Sequence, residues 1–141
     1  AEIAASTELP LIVKGVMSVK DAKIAVKAGA KGVYISNHGG RVLESSPAAV
    51  DVLPDIALAV KNKAVVICDG GFRTGADVLK GLALSSDIIG IGRPFAIAAY
   101  GGGARGVQFA ASRLREELMR AMILSGVGAL KDITRESIGR L

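Results

Sequence analysis

Hydrophobicity along this chain rises in four short bursts, and between them it recurs at helical spacing. Leu9–Val13, Gly32–Ser36, Ala64–Cys68 and Ile88–Gly92 are nearly continuous apolar runs rich in β-branched residues. That is the pattern of strands buried on both faces of a parallel sheet. The stretches between them read as helices. Ser18–Ala28 opens on Ser18-Val19-Lys20-Asp21, a capping-box-like start, and stops at Gly29, a favoured C′ residue. Ala48–Val60 carries Pro54, which predicts a kink or a division. Thr74–Leu84 and the amphipathic Val107–Leu124 follow, and Leu130–Leu141 predicts a further short helix after the Gly126–Gly128 break. The glycine-rich Ala99–Gly106 predicts a loop that re-routes the chain into the last long helix.

The order βαβαβαβα plus a helical tail implies right-handed crossovers and parallel strands. No Pro-, Gly- or Ser-rich linker divides residues 1–141, so one domain is expected. Four βα units are too few for a closed eight-stranded barrel, which takes about 250 residues. Two architectures remain open: a small doubly wound sheet, or half of a barrel.

Composition narrows the function. Half of the 141 residues are hydrophobic and 22% are charged, a globular balance. No apolar run reaches the roughly 18 residues that cross a bilayer, and the opening AEIAAST lacks the pattern of a secretory signal. Cys68, the sole cysteine, lies inside an apolar run and reads as a buried, inert thiol. A cytoplasmic setting without a membrane is the expectation. The net charge is +5, but no basic block appears and aromatics are only 4%, which argues against nucleic acid. A few cations aimed at a small anion explain the surplus, and glycines clustered with arginines make phosphate the first anion to consider.

Parallel α/β folds place ligands at the carboxyl ends of their strands. Here the runs end at Lys14-Gly15, Ser36-Asn37-His38-Gly39-Gly40-Arg41, Asp69-Gly70-Gly71-Phe72-Arg73 and Gly92-Arg93-Pro94. Each delivers a polar or charged group with glycine beside it to one rim. Glycines let backbone N–H groups approach a ligand, and Arg73 and Arg93 add forked donors suited to phosphate. The plain alternative is glycines serving turns and arginines in solvent. GGGARG at Gly101–Gly106 matches a dinucleotide-binding pattern but follows no strand, so it reads as a loop.

His38 is the only histidine. A neutral imidazole on such a rim can accept a proton near pH 7, and Arg41 can hold a carboxylate beside it. No second histidine supports a metal site. Ser36 and Asp69 could complete a triad with His38, but no G-x-S-x-G elbow is present. A base with a carboxylate anchor fits better. Lys14 is either a solvated strand-end lysine or a cation held against developing negative charge.

The segments LPLIVKGVMSVKDA, GVYISNHGGRVL, VICDGGFRTGADVLKGLALSSDIIGIGRP and ELMRAMILSGVGALKDI together resemble the FMN-dependent 2-hydroxy-acid oxidases and dehydrogenases, such as glycolate oxidase, lactate oxidase and lactate dehydrogenase. The resemblance implies the (βα)4 half, strands five to eight, of a (βα)8 TIM barrel with C-terminal helices. It implies FMN as cofactor and a small (S)-2-hydroxy acid as substrate, oxidised to the 2-oxo acid. By motif, Lys14 would stabilise the reduced flavin, His38 would take a proton from the substrate and Arg41 would clamp its carboxylate. Ser36 would face the flavin, and Asp69 would lie near the histidine and the flavin side chain. Gly70, Gly71 and Arg73 would line the ribityl-phosphate arm, and Gly92 with Arg93 would complete the phosphate grip. The family's first barrel half has no counterpart in residues 1–8, so a fragment, a split enzyme or a homodimer of halves is expected. The partner is then the N-terminal half or a homo-oligomer. The alternatives are a non-catalytic FMN- or phosphate-binding half-barrel and, more remotely, other FMN barrels such as type 2 isopentenyl diphosphate isomerase, which lack S-N-H-G-x-R.

Overall fold

A computed structural model describes residues 2–139. After a single helical turn, α1 (Glu2–Ala5), come β1 (Ile12–Val16), α2 (Val19–Lys27), β2 (Gly32–Ile35), α3 (Ala49–Val60), β3 (Val65–Cys68), α4 (Gly75–Ala83), β4 (Ile88–Ile89) and α5 (Arg93–Leu124). The strands pair in parallel in the order β1-β2-β3-β4. Sequential order marks a barrel segment; a doubly wound sheet reverses direction at a switch point.

The two sheet faces differ. Val33, Ile35, Val66 and Cys68 are buried with Leu53, Ile56 and Val60 of α3 and Ala22 and Ala25 of α2. The opposite face carries Ile12, Val65 and Ile88, which stay 48%, 44% and 50% exposed. Helices cover the outer face alone, as they do around a barrel wall. This settles the architecture as a (βα)4 barrel segment.

Local chemistry sets the helix ends. Ser18 caps α2 by accepting from the Asp21 N–H at 3.1 Å, and Gly29 follows at φ +104. Thr74 and Asp77 form a reciprocal capping box on α4. Burial raises the Asp77 carboxyl, but N–H groups of Arg73 and Thr74 and the Thr74 hydroxyl outweigh it and hold the group below its ordinary value. Gly75 has α5 backbone against it, and its N–H donates to Glu117 at 3.0 Å. The α4 N-terminus is thus closed by two carboxylates of the protein itself.

Several expected boundaries move. The first strand is Ile12–Val16 rather than Leu9–Val13, because pairing starts only beyond Pro10, which has no N–H to give a ladder. The last is Ile88–Ile89, shorter than Ile88–Gly92. Pro54 neither divides nor breaks α3. The expected loop at Ala99–Gly106 is helical except at Gly103 (φ 56, ψ −142), and α5 begins at Arg93 rather than Val107. There two helical segments meet so sharply that Gly106 lies against the Ala98 carbonyl with no space for a Cβ. In place of one helix over Leu130–Leu141, 3-10 turns occupy Leu130–Asp132 and Arg135–Ile138. Residues 140–141 of that expectation lie outside the described residues. No helix among the described residues is long and apolar enough to cross a membrane.

Candidate active site

The four strand ends meet. A cavity of about 590 Å³ is lined by Lys14 from β1, His38 and Arg41 after β2, Asp69, Gly70, Gly71 and Arg73 after β3, and Gly92 and Arg93 after β4. The volume is that of a small-molecule site. All the expected site residues except Ser36 line it.

The imidazole of His38 is placed by its backbone. Asn37 turns the chain after β2: its Oδ1 accepts from the Gly39 N–H at 3.0 Å, and its Nδ2 donates to the Pro47 carbonyl at 3.2 Å. His38 itself adopts φ 56, an uncommon conformation for a residue with a Cβ. Its N–H is held by Ser36 Oγ at 3.2 Å. The ring packs over Gly15, where a Cβ would sit 2.9 Å from the imidazole Cε1. Gly15 is the extra residue of a β-bulge between Lys14 and Val16, at φ +90. The bulge re-aims the strand, so Lys14 points to the inner face while Val16 enters the core. Arg41 follows on the same turn and is exposed at the pocket mouth.

Lys14 is the cation of the inner face. Its Nζ donates to Ser36 Oγ at 2.9 Å and stands 3.8 Å from Asp69 Oδ2. Ser36 is buried, at 1% exposure, and lies under the pocket wall rather than facing into it. Its hydroxyl serves Lys14 and the His38 backbone. Asp69 meets Lys14 rather than the imidazole; no hydrogen bond joins His38 to Asp69 or Ser36 side chain to side chain among the described residues, so these three do not form a triad. Asp69 Oδ1 is buried without a hydrogen-bond partner.

The opposite wall is cationic. Gly71 and Gly92 are open on the side a Cβ would occupy, and the Arg93 guanidinium lies against Gly39. Helix α5 starts here with no side-chain cap and with proline in its first turn. Unlike α4, whose first N–H groups are taken by Asp77 and Glu117, α5 leaves its N-terminal donors for a ligand. The residues present fit a phosphorylated group: two arginines, an uncapped helix start and a glycine-edged cavity, while the orphan carboxylate oxygen of Asp69 is free to accept from a hydroxyl elsewhere on such a ligand. No group of three or more metal-ligating side chains occurs among the described residues.

Cys68 lies just behind this site, facing the core. Burial, then the Asp69 charge, pushes its thiol from the ordinary 9.0 up to about 12. The thiol should therefore resist a thiol reagent at pH 8 until the protein unfolds. A raised pKa stabilises the fold fully below pH 9, and that contribution is lost as pH rises from 9 toward 12. Cys68→Ala should flatten that alkaline loss in melts taken across this range, though it also leaves a small cavity.

Two residues at the site escaped sequence reasoning, Tyr34 and Gly90, and Gly15, expected on the rim, gains the role of seat for the imidazole. Tyr34, the only aromatic within the four strands, carried a usable signal.

A parallel βα wall that gathers a histidine, three arginines and a lysine around one cavity at its strand ends defines a segment of the TIM-barrel class with its ligand rim intact. The profile of one such family, FMN-dependent dehydrogenase, matches residues 1–140. The chain belongs to that family. It is 50% identical over 133 residues to an L-lactate oxidase of Lentilactobacillus hilgardii, covering 94% of this chain and 36% of the relative. It is 46% identical over 129 residues to 2-hydroxyacid oxidase 1 of Mus musculus, covering 92% and 35%. A mandelate oxidase structure with benzoyl-formic acid superposes with a TM-score of 0.91 at 40% identity, over 94% of this chain and 40% of that one. The chain thus spans a little over a third of the length of these relatives.

Proposed function

We propose that this chain carries the base and the phosphate grip of an FMN-dependent oxidoreductase that converts a small (S)-2-hydroxy acid, of lactate or glycolate type, to the 2-oxo acid. The observation that carries the reading is the convergence of His38, Arg41, Lys14 and Arg93 from separate strand ends on one cavity. The names of the relatives support it: a lactate oxidase, a 2-hydroxyacid oxidase, and a mandelate oxidase holding a 2-oxo acid.

The oxidation removes two electrons and two protons by breaking the C–H and O–H bonds at the hydroxyl-bearing carbon, whose bond to oxygen becomes a carbonyl. One proton would go to His38, and the other would leave with the electrons to the acceptor. Bound FMN supplies the two-electron acceptor. Arg73, Arg93 and the start of α5 would hold its phosphate, and Gly70, Gly71 and Asp69 its side chain. Arg41 fixes the substrate by a bidentate grip on its carboxylate. That grip presents the hydroxyl-bearing carbon to His38, whose imidazole takes one proton. Lys14, tied to Ser36 and facing Asp69, offers a cation where negative charge develops. The exposed apolar inner face, with Ile12, Val65 and Ile88, calls for a cover. We assign that role to the rest of the barrel, as an N-terminal half or a second copy.

Anaerobic addition of an (S)-2-hydroxy acid to the FMN-loaded, fully assembled protein should bleach the visible flavin band, and the (R) enantiomer should not. A protein that keeps FMN and never bleaches would leave only the phosphate-binding module.

A further inference from the structure

Beneath the pocket lies a side chain that the chemistry above does not use. Tyr34 sits on the inner face of β2, in register with Lys14 on β1 and Ile67 on β3. Its ring lies under Lys14, whose Nζ is 5.0 Å from the ring centroid. Its hydroxyl reaches across β3 toward Asp69 and the end of β4. A Cβ at Gly90 would collide with that hydroxyl and approach the Asp69 Cβ to 3.1 Å. Lys14, Asp69 and Gly90 all line the cavity, whereas Tyr34 does not. One buttress under three strand ends therefore touches the pocket only through its neighbours.

Its two ends suit two charges. An ammonium over an aromatic face is attracted by the ring quadrupole. Lys14 and Asp69, 3.8 Å apart, are too distant for a hydrogen bond and need other restraints to keep that spacing. Asp69 Oδ1 has no partner, and the Tyr34 hydroxyl and the Asp69 side chain border the same space beside Gly90. Plain packing would be satisfied by leucine or phenylalanine and would not require glycine at position 90.

We propose that Tyr34 is a positioning residue: its ring carries the Lys14 ammonium and its hydroxyl sets the Asp69 carboxylate, so both charges reach the FMN site at a fixed spacing. The inference rests on the functional reading above, since that reading says what the charges are positioned for. The groups that face the phenol are Lys14 and Asp69; the Cys68 thiol lies behind β3 on the helix-covered face. Burial, then the Asp69 charge, raises the phenol above its ordinary 10.0, so it remains a donor across the physiological range.

Two variants separate ring from hydroxyl. Tyr34→Phe keeps the ring, and Tyr34→Leu removes both. Nuclear magnetic resonance of the Lys14 methylenes reads the ring without any flavin, because protons over an aromatic face shift upfield. The shift should persist in Tyr34→Phe and vanish in Tyr34→Leu. FMN affinity should fall roughly 2- to 5-fold in Tyr34→Leu, the size of one exposed cation–π contact. The Tyr34 ring-carbon titration should move partway back toward 10.0 in Asp69→Asn. Lys14 resonances unmoved by Tyr34→Leu would overturn the ring's role, and a phenol titration unmoved by Asp69→Asn would overturn the hydroxyl's. If the parent protein binds no FMN, the functional reading fails instead, and the two resonance measurements still decide the role of Tyr34.

Discussion

Replacing His38 with alanine is expected to cut turnover of an (S)-2-hydroxy acid by roughly 100- to 10,000-fold, the contribution of a positioned general base. FMN binding should change little, because the phosphate grip is built from the ends of β3 and β4. The imidazole makes no hydrogen bond to another side chain among the described residues, so its replacement breaks none. Its placement comes from the loop: Asn37 Oδ1 holds the Gly39 N–H, and Ser36 Oγ holds the His38 N–H. Both survive loss of the ring. His38→Gly supplies the control, since φ 56 costs glycine nothing and the variant should fold at least as stably as the parent. Stopped-flow flavin reduction measures the effect. Loss of less than tenfold in both variants would remove His38 from the base role.

Gly15 extends the same logic to the ring's seat. A Cβ there would push the imidazole off at Cε1, and φ +90 disfavours any side chain. The seat of the imidazole thus depends on a strand other than the one that carries it. Such pairings explain what was legible in the sequence and what was not. The four strand-end motifs were readable because each is contiguous, and the barrel wall then brings them together. Ser36 belongs to one of those motifs, yet its burial under Lys14 could not be read from it. Tyr34 and Gly90 were missed because their contact spans two intervening strand spacings, and periodicity carries no information about that.

Strand runs were legible for a similar reason. Continuous apolar character marks a parallel strand, but it cannot tell the helix-covered face, with Val33 and Val66, from the open face, with Ile12 and Val65. The Gly101–Gly106 stretch misled because glycine weakens a helix by only about 1 kcal/mol per residue relative to alanine. The close seat of Gly75 on the α5 backbone at Glu117–Leu118 anchors the segment after the break, while Gly101 and Gly102 pack against nothing. Only Gly103 leaves helical geometry.

Arg93→Ala should weaken FMN binding about tenfold to a hundredfold, the loss of one or two charge-assisted hydrogen bonds. Two roles compete for this residue. It opens α5, whose first N–H groups lack a side-chain cap, which places its charge where a phosphate would sit. Its guanidinium also lies against Gly39, beside the His38 turn. Riboflavin, which has no phosphate, separates the two. A phosphate ligand loses affinity for FMN in the variant and leaves riboflavin affinity as it was. A residue that braces the His38 turn would instead slow substrate oxidation and weaken neither flavin selectively. Arg93→Lys should recover part of the FMN affinity, because the charge returns without the fork. Raising the salt concentration should narrow the gap between parent and variant, since ions screen the attraction that the arginine supplies. Equal weakening of riboflavin and FMN would remove Arg93 from the phosphate site and leave Arg73 with the α5 start to hold it.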